Sequence, residues 1–265
     1  MRILAVTNQK GGCGKTTTAV NLAAALAGRG CNTLLIDLDP QGHATLGFGL
    51  QPETMEQTIY DVIVNPRVLL GRILQDTQIP ALKVAPSNVL LSGAESQLLR
   101  MYDREYILRE RLHEVAPQFD YCIIDCSPSL SLLTLNAMVA AHALIIPVQT
   151  HYYALEGLRQ VMETVDVIKE RFHPELKVRG ILLTLSERRT LLSRQVEDQM
   201  RDYFGPLVFQ TVIHRSVRLA EAPSAGQSVM TYAPDSNGAL EYQSLARELA
   251  HEAQNRTAQE SCIHI

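Results

Sequence analysis

Three observations predict an α/β fold built on one doubly wound, mainly parallel sheet with helices on both faces. Short β-rich runs alternate with helical patterns along the chain. Those runs are apolar on both faces, as strands sandwiched between two helix layers must be. No Pro/Gly/Ser-rich linker and no internal repeat divides the chain, so one domain is expected over residues 1–253.

The first run, RILAVT at 2–7, passes through a glycine-rich turn into the helical stretch TTAVNLAAALAGRG at 17–30. Further strands are expected in NTLLID at 32–37, LKVAPS at 82–87 and YCIIDC at 121–126. Residues 132–148 form the longest apolar stretch, interrupted by Asn136, His142 and Pro147. They read as a buried helix followed by the strand ALIIPV at 143–148, since a membrane span needs ~20 unbroken apolar residues. VRGILLT at 178–184 and LVFQTVI at 207–213 supply the last two strands. A helix over 238–252 places Leu240, Leu245 and Leu249 on roughly one face, which packs on the core. Residues 254–265, QNRTAQESCIHI, read as a polar tail, with disorder as one expectation.

Of the 265 residues, 46% are hydrophobic and 20% charged, which suits a compact domain with a large core. The net charge of −4 exerts no global pull on nucleic acid, so such binding needs a local patch. The five cysteines (Cys13, Cys31, Cys122, Cys126, Cys262) contain no CxxC pair and fit a reducing cytosol. MRILAVTNQK is too short an apolar run for a signal peptide, and a cytoplasmic location is expected.

Chemistry concentrates first in QKGGCGKTTT at 9–18. A strand–loop–helix context around glycines is what a phosphate-binding loop requires. Gly11, Gly12 and Gly14 let backbone N–H groups turn inward on phosphate oxygens, and the helix N-terminus adds partial positive charge. Lys15 is positioned to reach the β- and γ-phosphates, Thr16 to ligate Mg²⁺ and Thr17 to serve the α-phosphate. Gln9 stands where the common GxxxxGK[ST] pattern has glycine, so the match is to the deviant form KGGxGK[ST]. Asp125, closing the apolar run YCIID, is expected to hold Mg²⁺ through water. Asp37 and Asp39 end the second strand, where an isolated aspartate is otherwise a cap or turn former.

KGGCGKTT, LLIDLDPQG at 34–42, DYCIIDCSPSL at 120–130, PVQTHYYALEGL at 147–158 and VIHRSVRLAEAPSAGQSV at 212–229 occur in order. With these motifs the chain resembles the ParA/Soj branch of deviant phosphate-loop ATPases related to MinD, over residues 1–250. The resemblance implies ATP and Mg²⁺ as ligands and slow, partner-stimulated hydrolysis. It makes Lys10 a lysine that crosses a sandwich homodimer to the other subunit's nucleotide, against the plain reading of a solvated strand-end residue. It places Asp39 in the first switch, where it helps activate water, and leaves Asp37 as a metal-side or structural acid. Gln41 and Gly42 belong to one switch loop and Ser127, Pro128 and Ser129 to the other.

Three positions depart from the usual spelling: Cys13 replaces valine or another small residue, Ser127 a proline and His214 a proline near the expected adenine pocket. Cys13 is either an inert small residue or an oxidation-sensitive one, and His214 either stacks on adenine or fills space. No strong general base is visible.

Seven arginines, no lysine and four acids lie between Arg179 and Arg218, a local charge of +3. The resemblance assigns sequence-independent DNA binding to Arg189 and Arg218, with Arg215 a weaker candidate and Arg188 and Arg194 as additions. The alternative is a solvated helix face with pairs such as Arg194–Asp198 and Glu197–Arg201. The implied partners are duplex DNA of the nucleoid and a ParB-like or cargo adaptor, without stable membrane association. A MinD-like membrane-positioning ATPase is the alternative, and it needs a basic amphipathic terminal helix. An iron–sulfur reductase would need a cysteine from each subunit at the dimer axis, and a ligase or kinase would need an acceptor pocket.

Overall fold

The computed structural model describes residues 1–187 and 189–262, with side chains as far as residue 250. Seven strands form one sheet: β1 (Arg2–Val6), β2 (Thr33–Leu38), β3 (Gln75–Asp76), β4 (Leu82–Ala85), β5 (Tyr121–Cys126), β6 (Ala143–Gln149) and β7 (Lys177–Thr184). Their order is β3-β4-β2-β5-β1-β6-β7, parallel throughout except for the β3–β4 edge pair. The expected doubly wound, mainly parallel sheet is present.

Strand residues alternate between two cores, as a period of two dictates. Ile3, Ala5, Leu34, Ile36, Cys122, Ile124, Leu144 and Ile146 join one cluster. Leu4, Val6, Leu35, Ile123 and Ile145 join the other. Helix Lys15–Ala27, rich in Ala and Leu, is buried along almost its whole length. Its Thr18 hydroxyl meets the Tyr242 hydroxyl at 3.2 Å, tying it to the last helix, Asn237–Cys262.

Two expectations need correction. LVFQTVI at 207–213 does not form a regular strand. It follows β7 through Phe209 N–H to Ile181 O (3.0 Å) and Ile213 N–H to Leu183 O (2.9 Å), with isolated bridges at Val208 and His214. Chain in this register satisfies some carbonyls of the sheet edge without becoming a ladder. Leu240 is 48% exposed; the buried stripe runs through Ala239, Tyr242, Leu245, Ala246 and Leu249. The expected stretch 132–148 resolves into helix Leu132–Ala140 and β6. The expected boundary at 253 falls inside the last helix, and residues 263–265 of the tail lie outside the described residues.

Register brings three strand ends together. Val6 pairs with Asp125 across β1–β5, and Asp37 pairs with Asp125 across β2–β5. In open parallel sheets the ligand crevice lies beyond such C-terminal ends, where successive connections leave in opposite directions.

Candidate nucleotide site

Gly12 and Gly14 have φ of 71° and 86°, left-handed conformations that side chains rarely adopt. A Cβ on Gly11 or Gly12 would meet nothing within 4 Å, so these glycines face open space. That space is a cavity of ≈ 690 Å³ lined by the glycines, Lys15, Thr16, Thr17, Asp39 and Gln41, with Ser127–Ser129 opposite. The sequence-expected phosphate loop and both switch segments therefore share one crevice.

Lys15 is 7% exposed, and its Nζ donates to Lys10 O at 2.8 Å. An ammonium folded onto a carbonyl of its own loop can transfer to phosphate oxygens without leaving the crevice. Cys13 does not present its side chain to the cavity. Its thiol is buried, donates to Lys10 O at 3.2 Å, and is pushed up in pKa by burial, opposed by Lys15. Thr184, at the end of β7, donates its hydroxyl to Cys13 O at 2.8 Å and props the loop from behind.

Asp125 is fully buried, and neither carboxylate oxygen has a hydrogen-bond partner. Burial drives its pKa well up, Asp37 and Asp39 add to this, and the Thr16 hydroxyl and Lys15 oppose it. An orphaned carboxylate beside a threonine hydroxyl suits a hard divalent cation. Among the described residues, no group of three or more His, Cys, Asp or Glu could hold a metal alone. This fits Mg²⁺, which retains waters and takes substrate phosphates as ligands. Asp37, in contrast, is satisfied: it accepts from Thr45 N–H (2.8 Å), the Thr45 hydroxyl (2.7 Å) and Asp39 N–H (3.2 Å). Its place is structural, at the start of the switch loop.

Lys10 lies outside this arrangement. It is exposed, it does not line the cavity, and its Nζ meets His151 Nε2. Partial burial and the Lys10 charge lower the His151 pKa, and its Nδ1 accepts from Tyr153 N–H at 3.0 Å. Tyr152 and Tyr153 beside it are 76% and 71% exposed. His214 is also absent from the cavity wall; Glu241 holds both its N–H (2.9 Å) and its Nδ1 (2.7 Å).

Arg179 lies in β7, while Arg189, Arg194, Arg201, Arg215 and Arg218 fall on the segments that follow it. Arg215 N–H donates to Ser186 O, which sets that residue beside the 187–190 turn bearing Arg189. Arg189 is exposed and meets no ion-pair partner among the described residues. Arg215 pairs with Glu187 at 2.9 Å, and Arg218 with Glu221 at 2.9 Å, both exposed. Exposed pairs of this kind contribute little and exchange readily for phosphate. The Glu197–Arg201 pair forms at 3.1 Å, whereas Arg179 stacks on Phe209, 5.3 Å from the ring centre. Arg188 lies outside the described residues.

Sequence reasoning did not single out His151, Ser92, Glu95 or Leu185, the last three being cavity residues. His151 stands within the PVQTHYYALEGL motif, so a signal existed. Nothing local marks Leu185, whose φ of 51° appears only in the folded chain. Cys122 and Cys126 are buried within β5, where no partner subunit can reach them.

A family model described as "AAA domain" matches residues 1–178. The chain is 46% identical over 248 residues to the chromosome partitioning protein ParA of Myxococcus xanthus, covering 94% of this chain and 87% of that protein. It is 46% identical over 249 residues to the sporulation initiation inhibitor protein Soj of Bacillus subtilis, covering 94% and 98% respectively. Among solved structures, cobyrinic acid a,c-diamide synthase of Mycobacterium smegmatis with bound ATP analogue and magnesium matches at TM-score 0.85 and 35% identity, covering 96% of each chain.

Proposed function

Because the chain belongs to the ParA/Soj family of MinD-related partition ATPases, we propose that it is an ATP-driven dimerising switch that binds duplex DNA without sequence preference. It is an ATPase of that family. The cargo it positions is a chromosome, a plasmid or another assembly, and a ParB-like adaptor stimulates its slow hydrolysis. It works in the cytoplasm on the nucleoid. Among the described residues no helix is long and apolar enough to cross a membrane.

The observation that carries this reading is the separation of the two lysines. Lys15 lines its own cavity, while Lys10, five residues earlier, is not among its lining residues and has its ammonium on His151. One lysine serves the phosphates of its own subunit; the other, resting on His151, serves a neighbour's. A triphosphate carries about four negative charges, so two facing nucleotides repel unless cations intervene. Lys10 from each subunit supplies that cation in a partly desolvated interface.

Within the subunit, Gly11–Gly14 and Lys15 hold the phosphates, and Thr17 serves the α-phosphate. Thr16 and Asp125 hold Mg²⁺, which when bound neutralises developing charge on the phosphate oxygens. Asp39 orients the attacking water, and without a stronger base turnover is slow. Gln41 and Ser127–Ser129 register the γ-phosphate, and its loss removes the preference for the dimer. Arg189, Arg215 and Arg218 then present charge to the DNA backbone. A ligase reading, prompted by the synthase fold, would require a second substrate and no DNA.

The test is retardation of arbitrary duplex DNA with ATP. Wild-type protein should retard it and Lys10→Ala should not; equal retardation by the variant would remove Lys10 from the mechanism.

A further inference from the structure

We infer that Ser87 is a positioning residue for Asp39, clamping the loop after β2 to the start of the segment after β4. The inference rests on Asp39 as the water-orienting acid. Ser87 follows β4 and is wholly buried. Its hydroxyl donates to Asp39 O at 2.8 Å, and its N–H donates to the Thr45 hydroxyl oxygen at 3.0 Å. That same Thr45 hydroxyl donates to Asp37 Oδ2 at 2.7 Å, and Asp39 N–H donates to Asp37 Oδ1 at 3.2 Å. The four residues close a ring in which both the N–H and the C=O of Asp39 are held from outside its own loop. Rotation of the Asp39 peptide, which would swing the carboxylate, breaks a bond at either end of the residue.

The carboxylate itself is less constrained. Among the described residues its hydrogen-bond partner is Gln41 N–H, at 3.0 Å on Oδ1. Its direction is therefore set by the backbone that Ser87 grips. Beyond Ser87 the chain runs through residues 88–93 into the short helix Ala94–Leu98, and Ser92 and Glu95 line the same cavity as Asp39. One hydroxyl thus ties Asp39 to the segment that carries these two lining residues. Gly42 completes the fit: its φ is 63°, and a Cβ there would sit 3.3 Å from Ser87 O and 3.2 Å from Pro52 Cγ.

Ser87→Ala should fold, because Asp39 O keeps the Gly42 N–H at 3.0 Å and no buried carbonyl is orphaned. The experiment is single-turnover hydrolysis of radiolabelled ATP with Mg²⁺ by the full chain, together with equilibrium ATP affinity. It compares wild type, Ser87→Ala, Asp39→Ala and the double variant. The expected result is a hydrolysis rate about 5–20-fold lower for Ser87→Ala with ATP affinity within about twofold, and no further loss when it is added to Asp39→Ala. A general structural role would instead weaken affinity or lower the rate equally in both backgrounds, and either result overturns the clamp. An unchanged rate in Ser87→Ala overturns it too. An unchanged rate in Asp39→Ala removes the catalytic assignment on which the clamp depends, which separates the two failures.

Discussion

Lys10 and Lys15 differ by five positions in sequence and by their whole electrostatic setting in the fold. Lys15 follows a left-handed glycine that aims it inward; Lys10 precedes the turn and reaches His151. The KGG spelling made that division legible, but His151 as the resting partner of Lys10 was not, because residues 141 positions apart meet only across the β1–β6 neighbourhood. The buried acids carry a pH prediction. Burial pushes Asp37 up to about 6, with Asp39 adding to the shift. A carboxyl whose folded pKa exceeds its unfolded value holds a proton in the native state that the unfolded chain has released. Its stabilising contribution is full below the unfolded value near 4 and is lost as pH rises through about 6. In urea titrations of the ligand-free protein, wild type should therefore lose stability relative to Asp37→Asn between pH 4 and 7. A constant difference across that range would contradict the burial argument.

At the scale of elements, the two stretches after β7 decide whether the arginines act together. Sequence composition located them, yet LVFQTVI looked like a strand because it is apolar and β-branched. The sheet instead ends at β7, and the segment trails its edge with isolated bridges that carry Arg215 to Ser186. Helical periodicity placed Leu240 with Leu245 and Leu249; the latter two are buried as expected, but the stripe passes through Ala239 and Tyr242, which meets Thr18, and leaves Leu240 exposed. For DNA, Arg189→Ala and Arg218→Ala should each weaken binding to unrelated duplexes by a similar factor and reduce the salt slope by about 1. Arg215→Ala should do less, Arg215 being the weaker candidate of the three. Fluorescence anisotropy across a salt series reads all three. A sequence-dependent loss, or a slope that stays put, would mean these arginines do not contact phosphate.

For the whole molecule, strand order does most of the positioning. Placing β1 between β5 and β6 lines up the ends of β1, β2 and β5, so one crevice collects a phosphate loop and two switch segments separated by over a hundred residues. Alternation of strands and helices made the parallel sheet legible, and the motif order made the crevice legible. The short antiparallel β3 was not, since two residues carry no periodic signal. What one subunit leaves exposed completes the picture: Lys10 and, next to its contact His151, Tyr152 and Tyr153. The central claim is that ATP joins two copies through Lys10. Sedimentation velocity with Mg²⁺ and a non-hydrolysable ATP analogue measures it directly. The account predicts a dimer for wild type and a monomer for Lys10→Ala with analogue still bound; a wild-type monomer saturated with analogue, or an equally stable Lys10→Ala dimer, would contradict it.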